Sequence, residues 1–290
     1  MSEGASDVQG QIAQLMIYPV KSCAGVAVQE AVLLDTGLQW DRHWMVVDAD
    51  GLFVSQRECA RMALIRPQLE ADALLLQAPG MPALRVPLQA SGTALRVQVW
   101  DDVVDALDMG PEAAEWVHAF LGVPARRLVR FDPATRRACS TKWTGGVAAS
   151  TQFADGYPVL VTTDSAMDEL NTRLVAQGHP AVGMLRFRPN VVLSGLLPHD
   201  EDHLGPLEVW ADGAAIAGLQ LVKPCARCPI PNINPATAQS HPGVGDALQA
   251  YRQDARVNGA ITFGMNAIVT HGAGTVLRVG QAVQGHYAFG

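Results

Sequence analysis

The sequence predicts a β-rich α+β fold. Three observations lead there. Short apolar runs alternate with polar residues at strand period, Gly, Asp and Pro punctuate the chain every few residues, and only three segments carry helical spacing. Strands and helices do not alternate, so βαβ units are not expected. In chain order, WMVVDADGLFVSQR reads as a hairpin, with residues 44–47 and 52–55 flanking the turn Asp48-Ala49-Asp50-Gly51. ALRVQVW (94–100) places Leu95, Val97 and Val99 on one face against Arg96 and Gln98 on the other. PEAAEWVHAFL (111–121) opens on a proline followed by an acid, stacks Ala113, Trp116, Val117, Phe120 and Leu121, and meets Gly122. Residues 164–176 space Met167, Leu170, Asn171 and Leu174 as a helix, with Thr163 or Ser165 as its cap. VVLSG (191–195) and TVLRVGQAV (275–283) read as strands, and 245–253 as a shorter helix through Leu248 and Tyr251.

Composition narrows the class. A chain of 290 residues makes one large domain or two ordinary ones, and 49% hydrophobic against 17% charged residues supports a packed core. A formal charge of −7 argues against a nucleic-acid binder, which carries a basic face. No run approaches the ~18 apolar residues of a membrane span, so no membrane contact is expected. MSEGASDVQGQ lacks the basic-then-apolar layout of a signal peptide, and residues 1–11 are expected to form a flexible tail. Five cysteines, an odd number in a chain this long, do not read as a disulfide framework; a reducing cytoplasm is the expected location. The basic, proline-containing stretch RFDPATRRACSTKW divides the chain into modules of 12–131 and 132–290.

The segment VKPCARCPIPNIN (222–234) carries a Cys-x-x-Cys. Structural zinc needs a second ligand pair, and the other cysteines stand isolated at 23, 59 and 139. Thioredoxin-like chemistry needs the first cysteine at a helix N-terminus, but Pro231 and Pro235 would each cost such a helix about 3 kcal/mol. The motif is therefore expected on an extended loop. A buried apolar pair fits poorly beside Lys223 and Arg227, because a nearby guanidinium favours a thiolate. One reactive thiolate in a polar, cationic loop is the preferred reading.

KPCARCPIPNINPATA resembles the cysteine loop of the MOSC family, the molybdenum cofactor sulfurase C-terminal-type domains. IYPVKSCAG (17–25), GLQWDRHWMVVDADG (37–51), DMGPEAAEWVHAFLG (108–122), FADGYPVLVTTDSAMDELNTRL (153–174), RFRPNVVLSG (186–195), FGMNAIV (263–269) and GTVLRVGQAV continue the likeness in order. It runs from about residue 12 to 283, and its most specific anchors are RFRPN and the Cys-x-Arg-Cys. The branch it is most similar to joins an N-terminal β-barrel module to a MOSC β-barrel domain, and includes the mitochondrial amidoxime-reducing component and its bacterial relatives. The resemblance thus assigns 12–131 to the first barrel and 132–290 to the second.

The resemblance implies a molybdenum–pyranopterin cofactor with Cys228 as metal ligand, reducing N-hydroxylated compounds such as amidoximes and hydroxylamines. Lys21, Ser22, Arg42, Arg188, Asn190 and Arg227 match its cofactor-binding pattern, joined by Asp155, Gly156, Ala226 and Asn266; Asn266 and Asp155 are the two candidates for the proton-delivery position, which the resemblance does not assign to either. The residue types suit that role. An ammonium and a hydroxyl on one turn can converge on a phosphate, arginines offer planar forks, and an Asn amide can pair with a heterocycle edge. Molybdenum accepts a soft thiolate. Singly, each has a plain structural explanation: a surface ion pair with Asp41 for Arg42 or Arg188, and a turn for Ser22 or Asp155.

Departures from the family pattern fall inside the site. Ala226 stands where relatives often carry Ser, Pro229 removes a backbone donor beside the ligand cysteine, Asn234 stands where an acidic or small residue is commoner, and Gly156-Tyr157 replaces a pair of hydroxyl residues. Some bacterial relatives continue into a ferredoxin-like domain, whereas the cysteines here lack iron–sulfur spacing. An external electron-donor protein is expected, along with a small N-hydroxylated substrate. A different class of function is a sulfur or cofactor carrier that uses Cys228 without turnover; another is a MOSC fold emptied of its cofactor. LLPHDEDHLG (196–205) sets two histidines four apart around three acids, but Pro198 and Gly205 mark it as a solvated acidic loop.

Overall fold

The computed structural model describes residues 6–89, 92–123 and 126–288. It is β-rich, as expected. Seven strands close into a barrel: Val159–Thr163, Val191–Ser194, Val8–Ile17, Ala282–Tyr287, Leu204–Ala211, Ala214–Ala226 and Ala260–His271, the last pairing back onto the first. All pairings in this ring are antiparallel except that between Val159–Thr163 and Val191–Ser194. Its interior holds Ile12, Leu15, Val161, Leu193, Leu219, Met265 and Val283, all nearly inaccessible; a register irregularity between Ile12 and Gln14 lets Ile12 and Leu15, three apart, both face inward. Burying each such side chain contributes about 1.5–3 kcal/mol. The closing seam needs Gly264: its φ is +78°, and a Cβ there would sit 2.5 Å from Thr162 Cγ2 and 2.7 Å from Val161 O.

Two further sheets lie between the first barrel strand and residue 131. Trp44–Val47, Arg127–Phe131, Asp102–Asp108 and Thr93–Val99 form one sheet, and Arg66–Leu69, Ala73–Gln77 and Leu84–Pro87 another. Between them the helix Pro111–Leu121 buries Ala113, Trp116, Val117, Phe120 and Leu121, the five residues its spacing predicts, and ends on left-handed Gly122. Thr163 caps the second helix, Asp164–Ala176, accepting from Ala166 N through its side chain. The predicted turn at 48–51 is present; Asp48 Oδ1 accepts from the backbone N of Asp50 and Leu52.

Four local expectations are corrected. Val8–Gln11 is not tail: it pairs with Ala282–Gly285, and Val8 is buried. Part of the proposed tail, 1–5, lies outside the described residues. The third helix spans Gly243–Gln249 rather than 245–253, because Gln253 already pairs with Ile261. The 275–283 strand is broken into Val276–Arg278 and Ala282–Tyr287 by a turn at Gly280 (φ +87°). Finally, the 196–205 segment is not a solvated loop. It forms a short 3-10 turn, Asp200–His203, with Glu201 and Asp202 buried against the second helix and the barrel. Glu201 accepts from Thr163 Oγ1 (2.9 Å) and Asp202 pairs with Arg252 (2.5 Å).

The first barrel strand is hydrogen-bonded between strands from the C-terminal half. A boundary after residue 131 is therefore a proposed division of the chain between sheets, with Val8–Ile17 contributed across it.

Candidate functional site

Both halves of the chain meet at a cavity of about 430 Å³. The chain turns out of the first barrel strand at Tyr18 and delivers Lys21 and Ser22, with Lys21 N held by Trp44 O (2.8 Å). Gly25 makes room for the Tyr18 ring, since a Cβ there would lie 2.4 Å from its Cε1. The Ala214–Ala226 strand runs out of the barrel beside Ala260–His271, Lys223 opposite Asn266, and ends on the cysteine motif. Arg227 N is still bonded to Ile261 O (2.8 Å), and Pro229 then leads into a single 3-10 turn, Ile230–Asn232. The motif thus straddles a strand end, and its prolines prevent a longer helix.

All eleven residues singled out in the sequence line this cavity: Lys21, Ser22, Arg42, Asp155, Gly156, Arg188, Asn190, Ala226, Arg227, Cys228 and Asn266. Six cationic side chains face it (Lys21, Arg42, Arg57, Arg188, Lys223 and Arg227) against two carboxylates, Asp101 and Asp155. Lysine is scarce, and two of the three in the sequence, Lys21 and Lys223, line the cavity.

The cations are held rigidly. The guanidiniums of Arg42 and Arg188 lie 4.4 and 4.2 Å from the centroid of the buried Tyr18 ring. Burial pushes the Tyr18 phenol up to about 12, and burial together with the neighbouring Arg42 charge brings Arg188 down to about 10. Arg42 donates to the buried Asp41 carboxylate, to Asn190 Oδ1 (3.1 Å) and to Arg188 O (3.1 Å). The Arg42–Asp41 pair is therefore interior, not a surface pair. Arg188 donates to Cys23 O (2.6 Å).

Lys21 Nζ donates to Phe153 O (2.8 Å) and Asp155 Oδ1 (2.5 Å). Burial lowers the Lys21 pKa, and the Asp155 charge offsets part of that. Burial works to raise Asp155, but Lys21 and the Trp100 indole outweigh it and hold the carboxyl well below its usual range.

Two details differ from the sequence reading. Asn190 was expected to offer both donor and acceptor to a heterocycle. Its Oδ1 instead accepts from Leu160 N (3.1 Å) and Arg42, and its Nδ2 donates to Met16 O (3.2 Å), so it positions Arg42. Arg227 Nη1 lies 2.8 Å from Cys225 Sγ, the first cysteine, while Cys228 is exposed at the cavity. Gly156 leaves open space, with nothing within 4 Å of a Cβ built on it.

Sequence reading missed Arg137. It is buried, pairs with Asp102 (2.7 Å), and donates to the carbonyls of Gln152 (2.8 Å), Ala154 and Asp155 (3.0 Å), fixing the loop that carries Asp155. It also missed Tyr18, whose sequence signal is slight, a tyrosine after an apolar run; Asp41, read as a surface partner, is buried. A backbone signal is plainer. Of nine non-glycine residues with positive φ among the described residues, four line the cavity: Ser22, Arg42, Trp100 and Arg188. Such strain gathers at functional sites.

Comparison with known proteins agrees with this geometry. The MOSC N-terminal beta barrel domain matches residues 9–124, and the MOSC domain matches residues 148–284. Mitochondrial amidoxime-reducing component 1 of Mus musculus is 33% identical over 239 residues, 80% of this chain and 68% of that protein. Mitochondrial amidoxime reducing component 2 of Homo sapiens is 33% identical over 256 residues, 84% of this chain and 72% of that one. Molybdenum cofactor sulfurase of Drosophila grimshawi is 32% identical over 251 residues, which is 83% of this chain but 30% of that protein. With both domain models matched in order and the two amidoxime-reducing components aligned over more than two thirds of their own length, the chain belongs to the MOSC family, in its two-domain form.

Proposed function

We propose that the protein is a molybdenum-cofactor-dependent reductase of N-hydroxylated compounds, supplied with electrons by an external donor protein. One observation carries the reading: Cys228 and six cationic side chains converge on one cavity. The donor set fits an anionic pterin cofactor. Cationic charge exceeds carboxylate there, Arg227 Nε is buried without a partner, and the volume lies within the ~300–1,000 Å³ usual for cofactor sites. Among the described residues no three His, Cys, Asp or Glu side chains gather for a metal, so molybdenum at Cys228 would take its other ligands from the cofactor.

When bound, that cofactor supplies the two-electron redox couple, with Cys228 as the protein's thiolate ligand. Lys21, Ser22, Arg42 and Arg188 would hold its phosphate, and Asn190 and Tyr18 fix the arginines. The overall reaction takes up two electrons and two protons, converts N–OH to N–H and releases water. Asp155, held ionised, is a poor proton donor; the neighbouring Lys21 ammonium, with its lowered pKa, is the better one. Asn266 donates to Lys223 O (3.2 Å) and steadies that strand end rather than moving a proton. Five free cysteines suit a reducing compartment, and the cytoplasm stays the proposed location. No helix among the described residues is long and apolar enough to cross a membrane.

The sulfurase relative favours a second reading, in which Cys228 carries sulfur or cofactor in transit. Molybdenum content of protein made in a host that fills a control molybdoenzyme separates the two. Stoichiometric metal that is reduced and reoxidised in place, lost in Cys228→Ala and kept in Cys225→Ala, supports the reductase. Wild-type protein without molybdenum refutes it.

A further inference from the structure

The inner wall of the cavity is cationic, while its outer wall, built by the N-terminal half, is aromatic: Phe53, Arg57, Trp100 and Asp101. Trp100 sits at the tip of the hairpin joining Thr93–Val99 to Asp102–Asp108. Its φ of +56° is one that bulky residues seldom adopt. The ring nonetheless stays 40% exposed at the cavity mouth, with Nε1 donating to Asp155 Oδ1 (3.1 Å). Because Asp155 is itself bonded to Lys21, the indole is fixed relative to the inner wall.

The Phe53 ring leans against the indole at 5.1 Å. The guanidinium of Arg57 lies over both, 4.5 Å from the Trp100 centroid and 5.7 Å from that of Phe53, steadied by Ser55 Oγ (3.1 Å). The protein's own side chain therefore shows that a planar, delocalised nitrogen cation seats on this wall. Beside it, Asp101 is exposed and takes no hydrogen bond or ion pair among the described residues.

We propose that this wall selects the substrate: Trp100 stacks planar, conjugated amidine-type N-hydroxylated compounds, and Asp101 meets the positive charge of the amidine formed. Amidines and guanidines share the planar CN core that Arg57 presents to the same ring. Substrates of this shape displace or lie beside Arg57, with the N–O end directed toward the cationic inner wall and Cys228. The inference rests on the reductase reading.

Benzamidoxime and acetamidoxime, reduced by the holoenzyme with reduced methyl viologen as donor, test it. Trp100→Ala is expected to raise KM for benzamidoxime roughly tenfold with kcat within about twofold, and to leave KM for acetamidoxime within about twofold. Trp100→Phe keeps a ring and is expected to stay within about threefold of wild type for benzamidoxime. Calorimetric titration of the products, without turnover, is expected to follow the same order: Trp100→Ala weakens benzamidine severalfold more than acetamidine, which offers the ring its CN core alone. Asp101→Asn is expected to weaken both by about threefold, since it removes charge and not the stack. Equal changes for both substrates in Trp100→Ala, or none for either, overturn the proposal. If wild type reduces neither amidoxime, the reductase reading fails. The benzamidine titration still decides the wall: a loss in Trp100→Ala supports it, and unchanged binding overturns it.

Discussion

Glu201→Gln isolates one buried charge whose energetic effect can be worked from the structure. Glu201 is fully buried; Oε2 accepts from Thr163 Oγ1, and Oε1 has no partner. Burial first, and the adjacent Asp202 carboxylate second, push its carboxyl from 4.5 up to about 7; the Thr163 bond and Arg252 offset only part of this. Between pH 4.5 and about 7 the folded chain holds a proton that the unfolded chain has released. Stability therefore falls as pH rises through that window, and above it the full cost applies. A shift from 4.5 to about 7 corresponds to about 3 kcal/mol. Gln keeps an acceptor for Thr163 and cannot ionise. The variant is expected to be about 3 kcal/mol more stable than wild type at pH 8, and to match it near pH 4.5. Urea unfolding at both pH values, followed by circular dichroism, measures the difference directly. The groups around Glu201, namely Asp202, Arg252, His199 and Glu169, are common to both proteins and cancel in the comparison. An equal difference at the two pH values, or a less stable variant at pH 8, refutes the reasoning.

Tyr18 supports two arginines through its ring and leaves its hydroxyl without a partner. Tyr18→Phe is therefore expected to change stability by under about 1 kcal/mol, and Tyr18→Ala to cost about 3–5 kcal/mol, both read from denaturant midpoints. Arg137→Ala removes the fork that holds the 152–155 carbonyls; a loss of about 2–3 kcal/mol and lower molybdenum content are expected, with no rescue by Arg137→Lys, whose single ammonium cannot span them. Gly156→Ser places a hydroxyl in open space, so its melting temperature is expected to match wild type while molybdenum survives dialysis longer.

What was legible in the sequence was local. The helix at 111–121 is bounded by a proline and a glycine within its own span, and the cap of the second helix lies one residue before it. What was not legible depended on partners far along the chain. Val8–Gln11 looks like tail because its strand partner, Ala282–Gly285, lies at the opposite terminus. Glu201 and Asp202 look solvated because acids usually are; the turn is buried only because the second helix and the barrel pack over it. The site divides the same way. The residue types around Cys228 and their order carried the family resemblance, but their convergence is a property of the closed barrel. Arg137 and Trp100 escaped because the targets that give them meaning, the 152–155 carbonyls and Asp155, sit on another segment.

The left-handed residues at the cavity explain why a strained backbone persists there. Each such non-glycine costs about 1–3 kcal/mol, and glycine at Arg42 or Arg188 would relieve it. Glycine would also remove the guanidinium. At these two positions the strain and the site support each other: left-handed Arg188 presents its carbonyl to Arg42 Nη2, and Arg42 in turn holds Asn190, while both guanidiniums lie over Tyr18. Removing the Arg42 guanidinium would leave the Asp41 carboxylate, Asn190 Oδ1 and the Arg188 carbonyl short of a donor in a buried setting, where an unpaired polar group costs about 1–3 kcal/mol. The pair is thus locked in place by the same contacts that aim it, and an anion entering the cavity meets fixed charges rather than mobile ones. Preorganisation of this kind would let a chain of net charge −7 hold the proposed anionic cofactor: the long-range field is unfavourable, so binding would have to come from short-range, buried, already oriented donors.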